Sequence, residues 1–184
     1  MLVLAIDPGT KTMGYAALEV NEDTGDVEIV YAECHNAEKM IHRYPVLVRE
    51  YDELTARLEA HRDDLFRLLT WLQPDVVVAE SPFFNPRRPT SGEPLVRLKQ
   101  ILIETCMRYQ VDLYWIAPQQ MKRAVGAQVR NSSKDNVRDA ISSLICMDRI
   151  RFSPLCQQQR LDDVVEHTVD AIGVGYAFAL DTFF

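Results

Sequence analysis

The chain has 184 residues, with 47% hydrophobic and 26% charged side chains, which are usual proportions for one globular domain. They exclude a disordered, collagen-like or coiled-coil protein, and no apolar run approaches the roughly 18 residues of a membrane span. The N-terminus lacks the basic segment of a signal peptide, and the four cysteines form no C-x-x-C pair. We therefore expect a single domain over residues 1–184, in the reducing cytoplasm and without a structural zinc ion.

Charge is distributed unevenly along the chain. Residues 1–80 carry 16 acidic and 7 basic side chains, residues 81–160 carry 6 and 13, and residues 161–184 carry 5 and none. The net charge is −7, yet the middle segment is strongly basic. A basic segment between acidic ends is typical of a polyanion-binding surface beside a carboxylate cluster, although solvated helix and loop faces would give the same counts.

Hydrophobic periodicity predicts an α/β domain. The expected strands are Leu2–Asp7, Gly14–Val20, Val27–Glu33, Val76–Ala79 and Val111–Ile116. The expected helices are 46–72, Glu93–Tyr109, Pro118–Val125, Ser132–Ile145 and 161–182. Short turns join the first three strands into an antiparallel meander, and the first, fourth and fifth strands can be parallel neighbours. The prediction is a five-stranded mixed sheet flanked by helices.

Two acidic residues follow apolar strands directly. Asp7 ends the first strand and Glu80 ends the fourth. If these strands are parallel neighbours, both carboxylates lie at the edge where open α/β sheets bind ligands. Two close carboxylates repel each other unless a cation lies between them, so a divalent metal ion is the natural partner. Either acid alone would more often be an ordinary polar strand end.

The last predicted helix carries a second pair of candidate ligands. His167 and Asp170 are three residues apart and share one helix face, which small and apolar residues flank. We expect this end of the helix to be buried against the sheet, where a charged group needs a partner. Asp163 lies one turn earlier and could join the same face. Together with the two strand-end acids, the pair indicates a two-metal site.

Five segments in order resemble the RuvC Holliday junction resolvases, which are RNase H-like nucleases. The first is Asp7-Pro8-Gly9-Thr10 with Gly14-Tyr15, and the second is Glu80 followed by Phe83. The remaining three are Pro118–Lys122 with Val125-Gly126, then Lys134–Val137, then His167-Thr168-Val169-Asp170-Ala171. The resemblance covers Met1 to about Ala179.

The resemblance implies a homodimer that nicks two opposed strands of a four-way DNA junction. Asp7, Glu80, His167 and Asp170 would hold two divalent ions, Mg²⁺ or Mn²⁺, with no small-molecule cofactor and no membrane partner. Lys122 and Lys134 would contact phosphate near the cut, and Phe83 would stack on a base, with Phe84 as its competitor for that role. The implied phosphate contacts are Arg87, Arg88, Arg97, Lys99, Arg123, Arg130 and Arg138.

The chain departs from the family pattern in three places. The stretch between Asp7 and Glu80 is long, the segment Leu95–Thr105 carries large aliphatic residues where relatives use small ones to dimerise, and the loop Pro82–Gly92 is rich in proline and arginine.

Three other functions are considered: an actin-like ATPase, which needs a second such domain; a nuclease acting on flaps or RNA–DNA hybrids; and a non-catalytic junction-binding relative.

Overall fold

The computed structural model of the protein describes residues 1–82, 92–127 and 135–183. Within these ranges one sheet is formed by β1 (Leu2–Asp7), β2 (Thr12–Val20), β3 (Val27–Asn36), β4 (Val76–Glu80), β5 (Asp112–Ile116) and β6 (Ile150–Phe152). Their order across the sheet is β5-β4-β1-β2-β3-β6. β1, β2 and β3 are antiparallel, whereas β1, β4 and β5 run parallel and β6 runs parallel to β3. The predicted arrangement of the first five strands is therefore confirmed.

Helices cover both faces of this sheet. They are α1 (Pro45–Glu50), α2 (Glu53–Leu72), α3 (Gly92–Tyr109), α4 (Pro118–Val125), α5 (Asp135–Cys146) and α6 (Glu166–Phe183), with 3₁₀ helices at Ala37–Arg43 and Leu161–Asp163. α2 and α3 pack on the face that contains Leu4 and Ile6. α4, α5 and α6 pack on the face that contains Val3 and Ala5. No helix in the described ranges is long and apolar enough to cross a bilayer.

The sequence prediction of one long helix over 46–72 is wrong. α1 ends at Glu50, and Asp52 adopts an extended backbone (φ −162°, ψ 170°) whose carboxylate accepts a hydrogen bond from Thr55 N at 2.6 Å. This side-chain cap satisfies an amide at the start of α2, so the chain begins a new helix there rather than continuing the old one. The long stretch between Asp7 and Glu80 contains α1 and the 3₁₀ helix Ala37–Arg43 in addition to β2, β3 and α2.

Two further expectations need correction. The sheet has a sixth strand, because Ile150–Phe152 pairs with Val27–Ile29; three residues are too few to show a strand period in the sequence. The final helix begins at Glu166 rather than at 161, because Leu161–Asp163 forms a separate 3₁₀ turn and Val164 is extended. Asp163 therefore lies outside α6 and is exposed to solvent.

α6 packs closely on the sheet where it presents Gly175 to β1 and β2. A Cβ atom added at Gly175 would lie 2.1 Å from Leu18 Cδ1 and 3.0 Å from Ala5 Cβ. A side chain at this position would therefore force the buried Leu18 side chain or the helix itself to shift. The predicted burial of this helix is confirmed, and it brings the first turn of α6 against the ends of the central strands.

Candidate active site

The two strand-end acids meet at one edge of the sheet. β1 and β4 are parallel with Ile6 opposite Ala79, so the next residues along, Asp7 and Glu80, end the two strands side by side. Along β1, Asp7 has the same parity as Val3 and Ala5, which places its side chain on the face that α6 covers. Asp7 is only 8% exposed. The sheet geometry thus brings together two carboxylates that are 73 residues apart in sequence.

The first turns of α6 bring the other two candidates to the same place. Nδ1 of His167 lies 2.7 Å from Oδ2 of Asp7, within hydrogen-bond distance. Asp170, one turn further along α6, is near enough to Asp7 and Glu80 to raise the pKa of Glu80. The predicted set of Asp7, Glu80, His167 and Asp170 therefore converges on one edge of the sheet.

Gly14 permits this approach of α6. It lies opposite Asp7 on the neighbouring strand β2. A Cβ atom at position 14 would lie 2.0 Å from the carbonyl oxygen of His167 and 2.7 Å from Thr168 N. Both neighbours are backbone atoms, which cannot rotate away as a side chain could. Gly14 thus sets how closely the helix that carries His167 can approach Asp7.

At this edge, each carboxylate makes the ionised form of its acidic neighbours less stable. Burial, together with the neighbouring Asp7 and Asp170, raises the pKa of Glu80 to about 8, although Lys122 opposes the rise. Burial, together with Asp7 and Glu166, likewise raises the pKa of Asp170 to about 6. The hydrogen bond to Asp7 raises the pKa of His167, although burial opposes it. The site therefore takes up protons near neutral pH and favours any cation that can replace them.

The donor set fits divalent metal ions. Three carboxylates and one imidazole are ligands that Mg²⁺ and Mn²⁺ accept, and their mutual repulsion is what a cation would relieve. In the described ranges no three His, Cys, Asp or Glu side chains already stand in a metal-binding arrangement. Instead, Asp7 hydrogen-bonds to His167 beside the Glu80 carboxylate, so metal binding would require the Asp7–His167 bond to open.

The predicted DNA contacts fall in three groups. Phe83, Arg87, Arg88, Arg130 and Lys134 lie outside the described residues. Lys122, on α4, lies beside the acidic edge, since its charge lowers the pKa of both Glu80 and Asp170. Arg123 follows it on the same helix and is exposed to solvent.

The remaining predicted contacts have partners within the chain. Arg97 donates a hydrogen bond from Nη2 to Thr55 Oγ1 at 3.0 Å, which joins α3 to α2. The Lys99 ammonium lies 4.8 Å from the centre of the Trp115 ring. Arg138 donates to two backbone carbonyls rather than facing solvent. Such contacts do not forbid a role toward DNA, but they give each side chain a structural role as well.

Sequence analysis missed a buried polar cluster behind the turn that follows Asp7. His61 on α2 is 1% exposed, and its ring packs edge-on against His35 at a centroid distance of 5.3 Å. His35 Nδ1 pairs with Asp64 Oδ2 at 3.2 Å. The backbone of Gly9 and Thr10 lies beside the His61 ring, without a hydrogen bond of normal geometry. The i, i+3 spacing of two polar residues, His61 and Asp64, on an otherwise apolar helix face was the available signal.

Burial keeps His61 uncharged. Desolvation, helped by the neighbouring His35, lowers its pKa to about 3. A neutral ring can pack against the turn of Gly9 and Thr10, whereas a buried cation there would have to be solvated. The cluster therefore supports, from the α2 side, the turn that leads away from Asp7.

Solved structures of resolvases share this fold. Thermus thermophilus RuvC, in complex with a Holliday junction substrate, superposes with a TM-score of 0.67 at 16% identity, covering 97% of this chain and 93% of that one. The yeast mitochondrial Holliday junction resolvase gives a TM-score of 0.64 at 16% identity, covering 96% of this chain and 77% of that one. At such identities the likeness shows the fold alone, and the fold is that of the RNase H-like resolvases.

Sequence comparison goes further than the fold. The model of the family described as Crossover junction endodeoxyribonuclease RuvC matches residues 3–155, most of the chain. The chain belongs to the RuvC family of crossover junction endodeoxyribonucleases, whose members are metal-dependent. The protein of that name from Synechococcus sp. (strain RCC307) is 26% identical over 175 residues, or 95% of this chain and 96% of that protein. The protein of that name from Halothermothrix orenii is 23% identical over 181 residues, which cover 98% of this chain and 96% of that protein.

Proposed function

We propose that this chain is a metal-dependent endonuclease that resolves four-way DNA junctions by paired, symmetric nicks. The observation that carries the proposal is the convergence of Asp7, Glu80, His167 and Asp170 on one edge of an RNase H-like sheet. Family membership supplies the reaction class. The presence of all four side chains that the family resemblance implies argues against a non-catalytic relative. The four side chains of this chain are suitable ligands for two divalent ions, Mg²⁺ or Mn²⁺.

Asp7 and His167 organise the site in this proposal. Asp7 is central, because it hydrogen-bonds to His167, ends its strand beside Glu80 and is the most buried of the four. His167 presents a nitrogen donor from the first turn of α6, and its hydrogen bond to Asp7 orients the ring. When bound, divalent ions supply Lewis acidity at the scissile phosphate and lower the pKa of water. The products are a 5′-phosphate and a ligatable 3′-hydroxyl.

The DNA-binding part of the proposal depends on a subset of the basic residues in segment 81–160. Lys122 lies at the acidic edge itself, and Arg123 on the same helix is exposed, so phosphate groups could approach both. Lys134, Phe83, Arg87, Arg88 and Arg130 keep the roles that the family resemblance implies. Symmetric cleavage of a four-way junction needs two active sites, and a homodimer of this chain would supply them.

The proposed setting is the cytoplasm, with the nuclease formed by a single domain over residues 1–184. All four cysteines are free thiols, as expected in a reducing compartment.

Replacing Lys122 should slow cleavage more than it weakens binding. We expect Lys122→Gln to reduce the single-turnover rate roughly 10²-fold, because its positive charge lies beside the groups that handle the reacting phosphate. Arg149→Gln removes an exposed positive charge beside Asp26, at the opposite end of the sheet from the acidic edge, and serves as the control. A Lys122→Gln variant as fast as wild type would remove this lysine from the catalytic site.

A substrate panel tests the proposal as a whole. End-labelled four-way junctions, flaps and RNA–DNA hybrids are incubated with the protein in Mg²⁺ or Mn²⁺, and nick positions are mapped. Paired nicks at symmetric positions in the junction, sealed afterwards by DNA ligase, are the expected result. Cleavage of hybrids or flaps in preference to junctions would overturn the substrate assignment. Binding of junctions without any cleavage would overturn the enzymatic one.

A further inference from the structure

Arg138 holds the segment that leads into the catalytic helix. From α5, it donates one hydrogen bond from Nη1 to Leu161 O at 2.6 Å and another from Nη2 to Val164 O at 2.7 Å. These carbonyls belong to the first residue of the 3₁₀ helix Leu161–Asp163 and to the residue that follows it. A guanidinium fork that reaches two carbonyls at once fixes both the distance and the orientation of the segment.

The clamped segment controls where α6 starts. Leu161 and Val164 are 7% and 4% exposed, so their side chains are fixed in the core while Arg138 holds their carbonyls. Val165 follows directly, and its carbonyl accepts the amides of Thr168 and Val169 in the first turn of α6. His167 is only three residues beyond Val164. A shift of the clamped carbonyls would therefore pass to the His167 ring and its contact with Asp7.

We propose that Arg138 is a positioning residue: it places the start of α6 so that His167 and Asp170 reach Asp7 and Glu80. This inference rests on the proposed function, because one of its tests measures the rate of junction cleavage. It replaces the simpler interpretation of Arg138 as one more phosphate contact, because both of its terminal nitrogens are already engaged with backbone.

Replacing arginine by lysine separates the two roles. Lysine keeps the positive charge but is a point donor on a flexible stem and cannot reproduce the planar fork. If Arg138 contacts phosphate, Arg138→Lys should behave like wild type and Arg138→Gln should bind junctions more weakly. If Arg138 positions α6, both variants should cut slowly while binding junctions normally.

Binding and cleavage are measured with the full chain on a four-way junction at several salt concentrations. For Arg138→Lys and Arg138→Gln we expect the saturating single-turnover rate to fall roughly 10- to 100-fold, the cost of a small misplacement of reacting groups. The junction Kd should stay within about twofold of wild type, with the same slope of log Kd against log salt. Lower affinity with a reduced slope in Arg138→Gln, rescued by Arg138→Lys, would overturn the proposal.

Two control variants calibrate this assay. Arg123→Gln removes an exposed charge beside Lys122 and should weaken binding and reduce the salt slope by about 0.9, as loss of one phosphate contact does. Arg160→Gln removes a charge directly before the clamped segment, where Arg160 is 74% exposed and pairs only with Asp162 at 3.5 Å among the described residues. It should change neither binding nor cleavage, so an effect as large as that of Arg138→Lys would contradict the clamp.

Hydrogen–deuterium exchange tests the clamp without any cleavage. In Arg138→Lys, peptides that cover residues 161–170 should exchange faster than in wild type, while peptides from β1 and β4 exchange at the same rate. Arg160→Gln should leave every peptide unchanged. This result would stand even if the chain cut no nucleic acid, so failure of the proposed function is distinguishable. Unchanged exchange over residues 161–170 in Arg138→Lys would overturn the positioning role.

Discussion

Gly14→Ala is expected to abolish junction cleavage while most of the sheet still forms. The new Cβ would lie 2.0 Å from the carbonyl oxygen of His167, so α6 has to move away from β2. We expect the free energy of unfolding to fall by about 1–3 kcal/mol, the usual cost of overpacking. The cleavage rate should fall at least about 10²-fold, because His167 is displaced from Asp7. Urea denaturation and single-turnover kinetics measure the two effects separately.

Gly173→Ala is the matched control for this variant. It adds the same methyl group within α6, but its nearest neighbour would be the sulfur of Met121 at 3.0 Å, at the flexible end of a side chain. We expect a change in the free energy of unfolding of less than about 1 kcal/mol, since alanine also favours the helical backbone. A Gly14→Ala variant that cuts junctions like wild type would show that the close approach of α6 is not needed.

Glu80→Gln is expected to abolish cleavage and at the same time to stabilise the metal-free protein at pH 8. The pKa of Glu80 is raised from 4.5 to about 8 in the fold, so the folded chain binds a proton more tightly than the unfolded chain does. Stability from this group is therefore fully present below pH 4.5 and is lost progressively as the pH rises from there to about 8. Glutamine has no carboxylate to ionise, so the Glu80→Gln variant does not lose this stability as the pH rises. We expect the free energy of unfolding to rise by roughly 2 kcal/mol or more at pH 8.

Urea denaturation of both proteins in EDTA, at pH 4 and pH 8, measures this difference. At pH 4 the two proteins should be nearly equally stable, because Glu80 is then mostly protonated in both the folded and the unfolded wild type. Glu19→Gln, which removes an exposed carboxylate from β2, should change the free energy of unfolding by less than about 0.5 kcal/mol at either pH. If Glu80→Gln were less stable than wild type at pH 8, the carboxylate would not be under the electrostatic strain that the structure implies.

Much of the site could be predicted because it follows from local sequence patterns. An apolar run that ends in an acid marks a buried strand, so Asp7 and Glu80 could be placed at strand ends. The parallel pairing of β1 and β4 then brings them together. The i, i+3 spacing of His167 and Asp170 in turn requires only that α6 be a helix.

The features that escaped prediction depend on contacts between distant segments. Strand β6 exists only because Ile150–Phe152 finds an edge at Val27–Ile29, and three residues carry no periodicity of their own. Arg138 looked like a surface charge because its partners are the backbone carbonyls of Leu161 and Val164, which have no sequence signature. The break before Asp52 was hidden by apolar spacing that continues through both helices.

The central claim is that four side chains form one metal-dependent cleavage centre. Single-turnover cleavage of an end-labelled four-way junction in Mg²⁺ or Mn²⁺ tests it directly, with wild type compared with Asp7→Asn, Glu80→Gln, His167→Ala and Asp170→Asn. We predict that wild type cuts only when the metal ion is present, and that each of the three carboxylate variants binds the junction yet cuts at least about 10³-fold more slowly. A carboxylate variant that cuts at a rate close to wild type, or cleavage by wild type in EDTA, would contradict the account.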